Sequence, residues 1–313
     1  MPTEPIREIY PETAGDAKVM EILGCWADGV QECVSFGTHV AKWCMDNPLW
    51  KDERSLPVLL FFRHALELLD SISVLIRYGL ADPCKILLRC LFETCMYIEY
   101  ILKDAKGQRA TSFLVCHAKR KIKSYLQMMP DSPERKEFMA VLKKDSIDIH
   151  INNVVINGIP QRVQNLEQLL SKPEYREVVK EYERVRKNDR RNPQWYRLFE
   201  GPQNIKQLSD QLGHSGKYEI LYRLWSRATH GLDLIDGNIS PGPNGLVNFV
   251  QIKNPEFAQS ATSLGISFSL SLFQTMVKFH KPDYSVKVAK WYVREIRQLQ
   301  TWLTGGDVIT VKH

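Results

Sequence analysis

Apolar residues recur at three- and four-residue spacing through most of the chain, and glycine and proline separate the stretches that keep this period. From about residue 15 to Met45, Val19, Ile22, Leu23, Trp26, Val30, Val34 and Val40 hold the spacing, which predicts a long amphipathic helix ended by Asn47-Pro48. A second helix is expected from Pro57 to Gly79, where Leu59, Phe62, Leu66, Leu69, Ser73, Ile76 and Leu80 lie close to a heptad seam. Asp82-Pro83 opens a third that reaches about Asp104, since aspartate can cap free amides and proline is tolerated in a first turn. Gln108 to Met129 follows after a turn at Gly107 and should pack antiparallel to it, as short connections dictate.

Between Pro130 and Pro160 the pattern weakens. Asp131 to Lys144 reads as a short helix, and Ile147 to Ile159, with Asn157-Gly158, as an irregular stretch that could hold a small hairpin. Gln161 to Asp189 is rich in Glu/Arg and Glu/Lys pairs and is expected to form one charged, exposed helix projecting from the bundle. Asn204 to Leu212 and Lys217 to His230 are helical again, the latter ended by Gly231. The glycines and prolines of 232–253 mark a loop in which Leu246 to Ile252 alternates like a strand. Asn254-Pro255 restarts a helix to about His280, and Pro282-Asp283 opens the last, ending at Gly305-Gly306.

These elements predict an all-α fold, a multi-helix bundle with a small irregular or hairpin loop near 232–253. A single domain is expected over 1–313, with a helical core at about 15–129 and 195–304 and a charged insertion at about 130–194. No repeat of fixed period and no low-complexity segment points to a solenoid or a tail.

Composition narrows the setting. Hydrophobic residues make up 44% and charged residues 25%, as in ordinary globular chains. Apolar runs stay far below the ~18 residues of a membrane span, and the N-terminus lacks a basic region followed by an apolar stretch, so a cytoplasmic protein with no membrane contact is expected. Cys25, Cys33, Cys44, Cys84, Cys90, Cys95 and Cys116 form no CxxC pair, and their odd number suits neither a disulfide framework nor a zinc site. They read as small apolar residues kept reduced, without disulfides. The net charge of +6 permits contact with nucleic acid without demanding it. Two basic stretches, 119–123 and 184–191, read as solvated helix faces.

Candidate chemistry lies in polar residues set into apolar helices. The sequence has no phosphate-binding GxxxxGK[ST], no GxGxxG after a strand, no HExxH, no GxSxG and no di-iron ExxH pair, so neither a cofactor nor a metal is expected. Arg89 and Glu93 stand four apart with Tyr97 one turn later, and Arg63 and Glu67 repeat the spacing on the preceding helix. Flanked by leucine and phenylalanine, these charges are candidates for burial, and buried charges must be paired. Further on, Tyr222, Ser226 and His230 fall at successive i, i+4 positions, with Arg223 and Arg227 on the adjacent stripe. Arginine can hold a phosphate bidentately and histidine can move protons near neutral pH, the two needs of metal-free phosphodiester chemistry. The alternative for His230 is a histidine held at a helix C-terminus by the dipole.

Arg89-x-x-Phe92-Glu93, then Trp195-Tyr196, then Tyr222-Arg223-x-x-Ser226-x-x-x-His230-Gly231 resembles a helical, mainly bacterial family of unknown function over roughly residues 60 to 235. More remotely, the spacing of Arg223 and His230 is similar to the Arg-x(4–6)-His pattern of HEPN proteins. That likeness implies a homodimer in which histidine and arginine from two copies cleave RNA without metal, with RNA or a nucleotide as partner. Leu224 departs from it, standing where HEPN ribonucleases usually carry a polar residue.

Three functional readings follow. The first is an HEPN-like, metal-independent endoribonuclease of a defence or toxin system, with His230 as acid and base, Arg223 and Arg227 on the phosphate and Ser226 beside them. The second is a non-catalytic binding or scaffold module in which Arg89–Glu93 and Tyr222–Ser226–His230 form one buried polar network across helices, with Arg63, Glu67 and Tyr97 as further binding or network residues. The third pairs Glu93 with His230 as acid and base on a small molecule.

Overall fold

The computed structural model describes residues 16–47, 55–145, 158–189, 192–223, 225, 239–241, 247–249, 252–306 and 309. The fold is all-α, a multi-helix bundle, and its chain contacts separate into two compact units. One comprises the chain up to Leu102 and from Leu208 on, and the other runs from Lys103 to Gln207.

The first unit is built around four long helices: α1 (Ala17–Met45), α2 (Leu56–Arg77), α3 (Cys84–Leu102) and α10 (Ala258–His280). The helical period predicted for them is the one that buries them. On α1 it carries Leu23, Trp26, Val30, Cys33, Val40 and Cys44 inward, and on α2 Phe62, Leu66, Leu69, Ile72 and Ile76. Asp16 caps α1, accepting from the amides of Lys18 and Val19 at 2.9 and 3.4 Å. Asp82 begins α3 differently from the expected cap: its carboxylate pairs with Lys85 Nζ at 2.5 Å. Helix α10 is crowded with small and hydroxylated residues, and the buried hydroxyls of Thr262 and Ser269 donate to the carbonyls of Ala258 and Gly265, 2.8 Å each. That back-bonding satisfies polar atoms which burial would otherwise leave costly.

The C-terminal helices complete this unit. Helix α11 (Ser285–Trp291) passes through a π-helical stretch (Tyr292–Ile296) into α12 (Arg297–Leu303). Trp291 stacks on Phe36 with centroids 4.1 Å apart and donates its indole N–H to Glu32 at 2.7 Å, so its polar edge is satisfied while its face packs. The hairpin expected in 232–253 is present in miniature, as strand β1 (Ile239–Pro241) pairs antiparallel with β2 (Val247–Phe249).

In the second unit α4 (Gln108–Met128) packs against α5 (Pro133–Lys144), α6 (Ile159–Ser171) and α7 (Arg176–Asp189). The charged stretch 161–189 is therefore two helices. Pro173, which cannot donate to the preceding turn, sits in a 3-10 turn (Pro173–Tyr175) between them. Nor is α7 polar all round, because Val178 and Tyr182 are buried and Lys119 of α4 pairs with Glu183 at 2.6 Å. Trp195 and Tyr196 lie in a 3-10 turn (Trp195–Arg197) and are core residues of this unit, Trp195 meeting Phe113 edge-on at 5.8 Å. The chain passes between the units twice, after Leu102 at the end of α3 and within α8 (Ile205–Leu212).

Candidate functional site

Helix α3 carries its unusual polar residues along the seam where the segment after α8 packs against it. That segment turns at Gly213, whose φ of 81° is left-handed and favours glycine. It then forms one short α-turn, α9 (Ser215–Lys217), and widens into a π-helical stretch (Tyr218–Arg223). The expected regular helix over 217–230 is thus π-helical over Tyr218–Arg223, a form that recurs at functional sites. The two segments run antiparallel, so that Glu99 meets His214 and, at the other end, Arg89 and Glu93 meet Tyr222.

At that second end Arg89 Nη2 donates to the Tyr222 hydroxyl at 2.7 Å, and its guanidinium carbon lies 4.0 Å from the centre of the same ring. Arg89 also pairs with Glu93 at 3.7 Å, the two side chains being 16% and 24% exposed. Tyr97 donates to the other Glu93 oxygen at 3.3 Å, and Tyr218 stacks on Tyr222 with centroids 5.0 Å apart. Burial pushes the Glu93 carboxyl above the usual carboxylate range, and this outweighs the opposing pull of Arg89, Tyr222 and Tyr97. Burial likewise raises the Tyr222 phenol, although its bond to Arg89 works the other way.

The other end holds residues that the sequence did not single out. His214 Nε2 and Glu99 Oε2 are 2.6 Å apart and about three-quarters buried. Beside them Phe92, Cys95, Lys217 and Thr275 help line a cavity of about 20 Å³, the room of a water molecule and far short of a ~300–1,000 Å³ ligand site. The one sequence signal for this pair is the stripe Phe92, Cys95, Glu99, which sets a carboxylate on an apolar helix next to the Arg89–Glu93 stripe.

Other candidates fall elsewhere. Arg63 and Glu67 pair with each other at 2.7 Å, but on the outer face of α2, 72% and 50% exposed. The leucine and phenylalanine next to them in sequence suggest burial, but on a helix those neighbours point toward other faces. Arg223 is 73% exposed and pairs with Glu219 at 2.7 Å, one residue from Tyr222 and turned away from the seam. Ser226, Arg227 and His230 lie outside the described residues.

All seven cysteines are free. Cys33, Cys44, Cys84 and Cys116 are buried, and burial pushes each thiol up to about 12. Cys25 and Cys90, read with the others as small apolar residues, are exposed instead. Among the described residues no helix is long and apolar enough to cross a membrane, and no group of three or more His, Cys, Asp and Glu residues is placed to hold a metal ion.

Comparison with known proteins gives a match to the model of a family described as a family of unknown function (DUF5677), over residues 56–241. No curated protein and no solved structure matches the chain.

Proposed function

We propose, for a chain that belongs to the family of unknown function DUF5677, a non-catalytic helical binding module whose polar seam fixes the segment 214–223 on α3. The observation that carries this reading is the double hold of Tyr222 on Arg89, through its ring at 4.0 Å and its hydroxyl at 2.7 Å. A guanidinium engaged in this way, with Glu93 beside it and little exposure, acts as a tie between elements. The seam would hold the exposed face of 214–223 in one orientation for a partner. Such networks, when satisfied, rigidify a core, and removing one member strands the others.

The test has two arms. Thermal unfolding of Glu93→Ala should show a clear loss of stability, because Arg89 and Tyr97 would lose the side-chain oxygens that face them in a mostly buried setting; an unchanged melting temperature would remove the seam's structural role. In the second arm, cellular RNA is incubated with the protein in EDTA and the products are resolved on a gel. Intact RNA is the expected result.

One observation favours a second reading, the metal-independent cleavage of RNA by a defence or toxin protein. Arg223 is open to solvent on a π-helical stretch leading into Ser226, Arg227 and His230, so a phosphate could reach it. RNA cleavage by the wild type but not by His230→Ala, with both folded, would establish this reading in place of the first.

A further inference from the structure

The two basic stretches of the sequence, 119–123 and 184–191, both send residues into one cavity of the second unit. Lys119 and Lys123 of α4 and Arg186 of α7 line a space of about 530 Å³. That lies within the ~300–1,000 Å³ of small-molecule sites, unlike the water-sized space beside His214. Helical spacing aims them there, since 119, 122, 123 and 126 share one face of α4, and 182 and 186 one face of α7. Ile122 and Leu126, with Leu170 of α6, give the cavity an apolar side. All three are half-buried, and Tyr182 next to them is fully buried.

The charges of this cavity are sorted by helix. Cations come from α4 and α7, whereas α5 and α6 supply Glu134, Glu137 and Glu167. Glu183, which does not line the cavity, pairs with Lys119 at 2.6 Å and with Arg186 at 3.9 Å. These two cations are thereby held in place with N–H donors to spare. Among the described residues, Lys123 and the three carboxylates form no ion pair. Opposite charges that line one cavity without touching leave a gap that a dipolar molecule can span. An anion alone would meet three carboxylates, and a cation alone would meet Lys123 and Arg186. A molecule that carries both charges about an apolar body satisfies each set. We infer that this cavity binds a small zwitterion of the amino-acid or dipeptide kind. Its carboxylate lies on Lys119, Lys123 and Arg186, its ammonium on Glu134, Glu137 and Glu167, and its side chains on Ile122, Leu126 and Leu170. The site is separate from the seam on α3 and stands whichever functional reading of that seam holds.

Isothermal titration of the full chain with three probes at millimolar concentration tests the inference. Leucyl-leucine carries both charges, its N-acetyl form lacks the ammonium and its amide form lacks the carboxylate. Leucyl-leucine should bind, and each blocked form should bind at least roughly tenfold more weakly, because one set of charges then goes unmet. Glu137 and Glu167 are exposed, so Glu137→Gln with Glu167→Gln should leave the circular dichroism spectrum unchanged. In that double variant the preference over the N-acetyl form should shrink while the preference over the amide form stays. Lys123→Gln should do the reverse. No heat of binding with any probe would overturn the inference. Equal affinity for all three would overturn it as well, since the cavity would then take apolar bodies without reading charge. Preferences that none of the substitutions alters would place the binding elsewhere and overturn it too.

Discussion

Arg89 and Tyr222, 133 positions apart in sequence, meet twice: the guanidinium covers the phenol ring at 4.0 Å and also donates to its hydroxyl at 2.7 Å. The two contacts can be separated by mutation. Tyr222→Phe keeps the ring and removes the acceptor, and should cost about 1.5 kcal/mol, the low end for a hydrogen bond to a charged group because the pair is only part-buried. Tyr222→Ala removes the cation–π contact and the stacking with Tyr218 as well, and should cost about 2–3 kcal/mol. Urea unfolding followed by circular dichroism measures both; equal losses for the two variants would show that the ring contact contributes nothing.

Glu93 gives the same seam a pH dependence. Its carboxyl lies above the usual carboxylate range in the folded chain because burial disfavours its charge. The unfolded chain therefore releases this proton first as pH rises. The stabilisation is complete below the ordinary carboxylate pKa and is lost as pH climbs through the raised folded value. Glu93→Gln stays neutral at every pH. It should flatten this part of the stability profile and be at least as stable as the wild type at neutral pH, unlike Glu93→Ala. Profiles that fall in parallel for wild type and Glu93→Gln would assign the dependence to other groups.

Much of the fold was legible because burial on a helix leaves a period in the sequence, and α1, α2 and α10 show it at nearly every turn. Local chemistry was legible for the same reason: Arg89, Glu93 and Tyr97 follow helical spacing, and the structure brings them together. Three things escaped. The break at Pro173 was hidden by charged residues that continue the helical pattern on both sides. The pairing of His214 with Glu99 spans 115 positions, and nothing local to either residue announces the other. The sidedness of Arg63–Glu67 went wrong because apolar neighbours in sequence do not set which face of a helix a residue occupies.

His280, at the end of α10, should make the protein acid-sensitive. Burial lowers its pKa to about 4, and its backbone carbonyl accepts from Asn47 Nδ2 at 2.5 Å. The unfolded chain takes up this proton at ordinary histidine pH while the folded chain resists it, so stability falls as pH drops from ~6.5 toward 4. After allowance for its partial exposure, the loss should be on the order of 1–2 kcal/mol. His280→Gln, which takes up no proton, should remove this acid limb in unfolding measured at stepped pH. A limb of unchanged depth would place the proton uptake elsewhere.

The thiols offer a readout of native packing. Cys25 and Cys90 are exposed, and Cys90 is the less reactive of the two because burial and the nearby Glu93 both raise its thiol. A chromogenic disulfide reagent should therefore modify Cys25 first and Cys90 more slowly. Cys33, Cys44, Cys84, Cys95 and Cys116, all pushed up to about 12, should react only on unfolding, since thiolate is the reactive form. Rapid native labelling of Cys33 or Cys116, read by peptide mass, would mean that α1 or α4 opens far more readily than its packing implies.

Gly37 tests how tightly the four-helix core is closed. A Cβ placed there would lie 2.4 Å from Leu66 Cδ2 and 3.2 Å from two carbons of the Phe273 ring, and both neighbours are themselves buried. Alanine in a helix interior normally gains up to ~1 kcal/mol over glycine. At this position the gain is opposed by overpacking, which costs typically ~1–3 kcal/mol when packed side chains are forced from their rotamers. Gly37→Ala should therefore be net destabilising by about 1 kcal/mol, with a melting temperature lower by roughly 2–4 °C for a unit of this size. Adding Leu66→Ala creates the space that the new methyl requires. The double variant should be less unstable than the sum of the two single losses, as expected for residues that share one contact. Simple additivity would mean that α1 and α2 can already move apart at this crossing without cost.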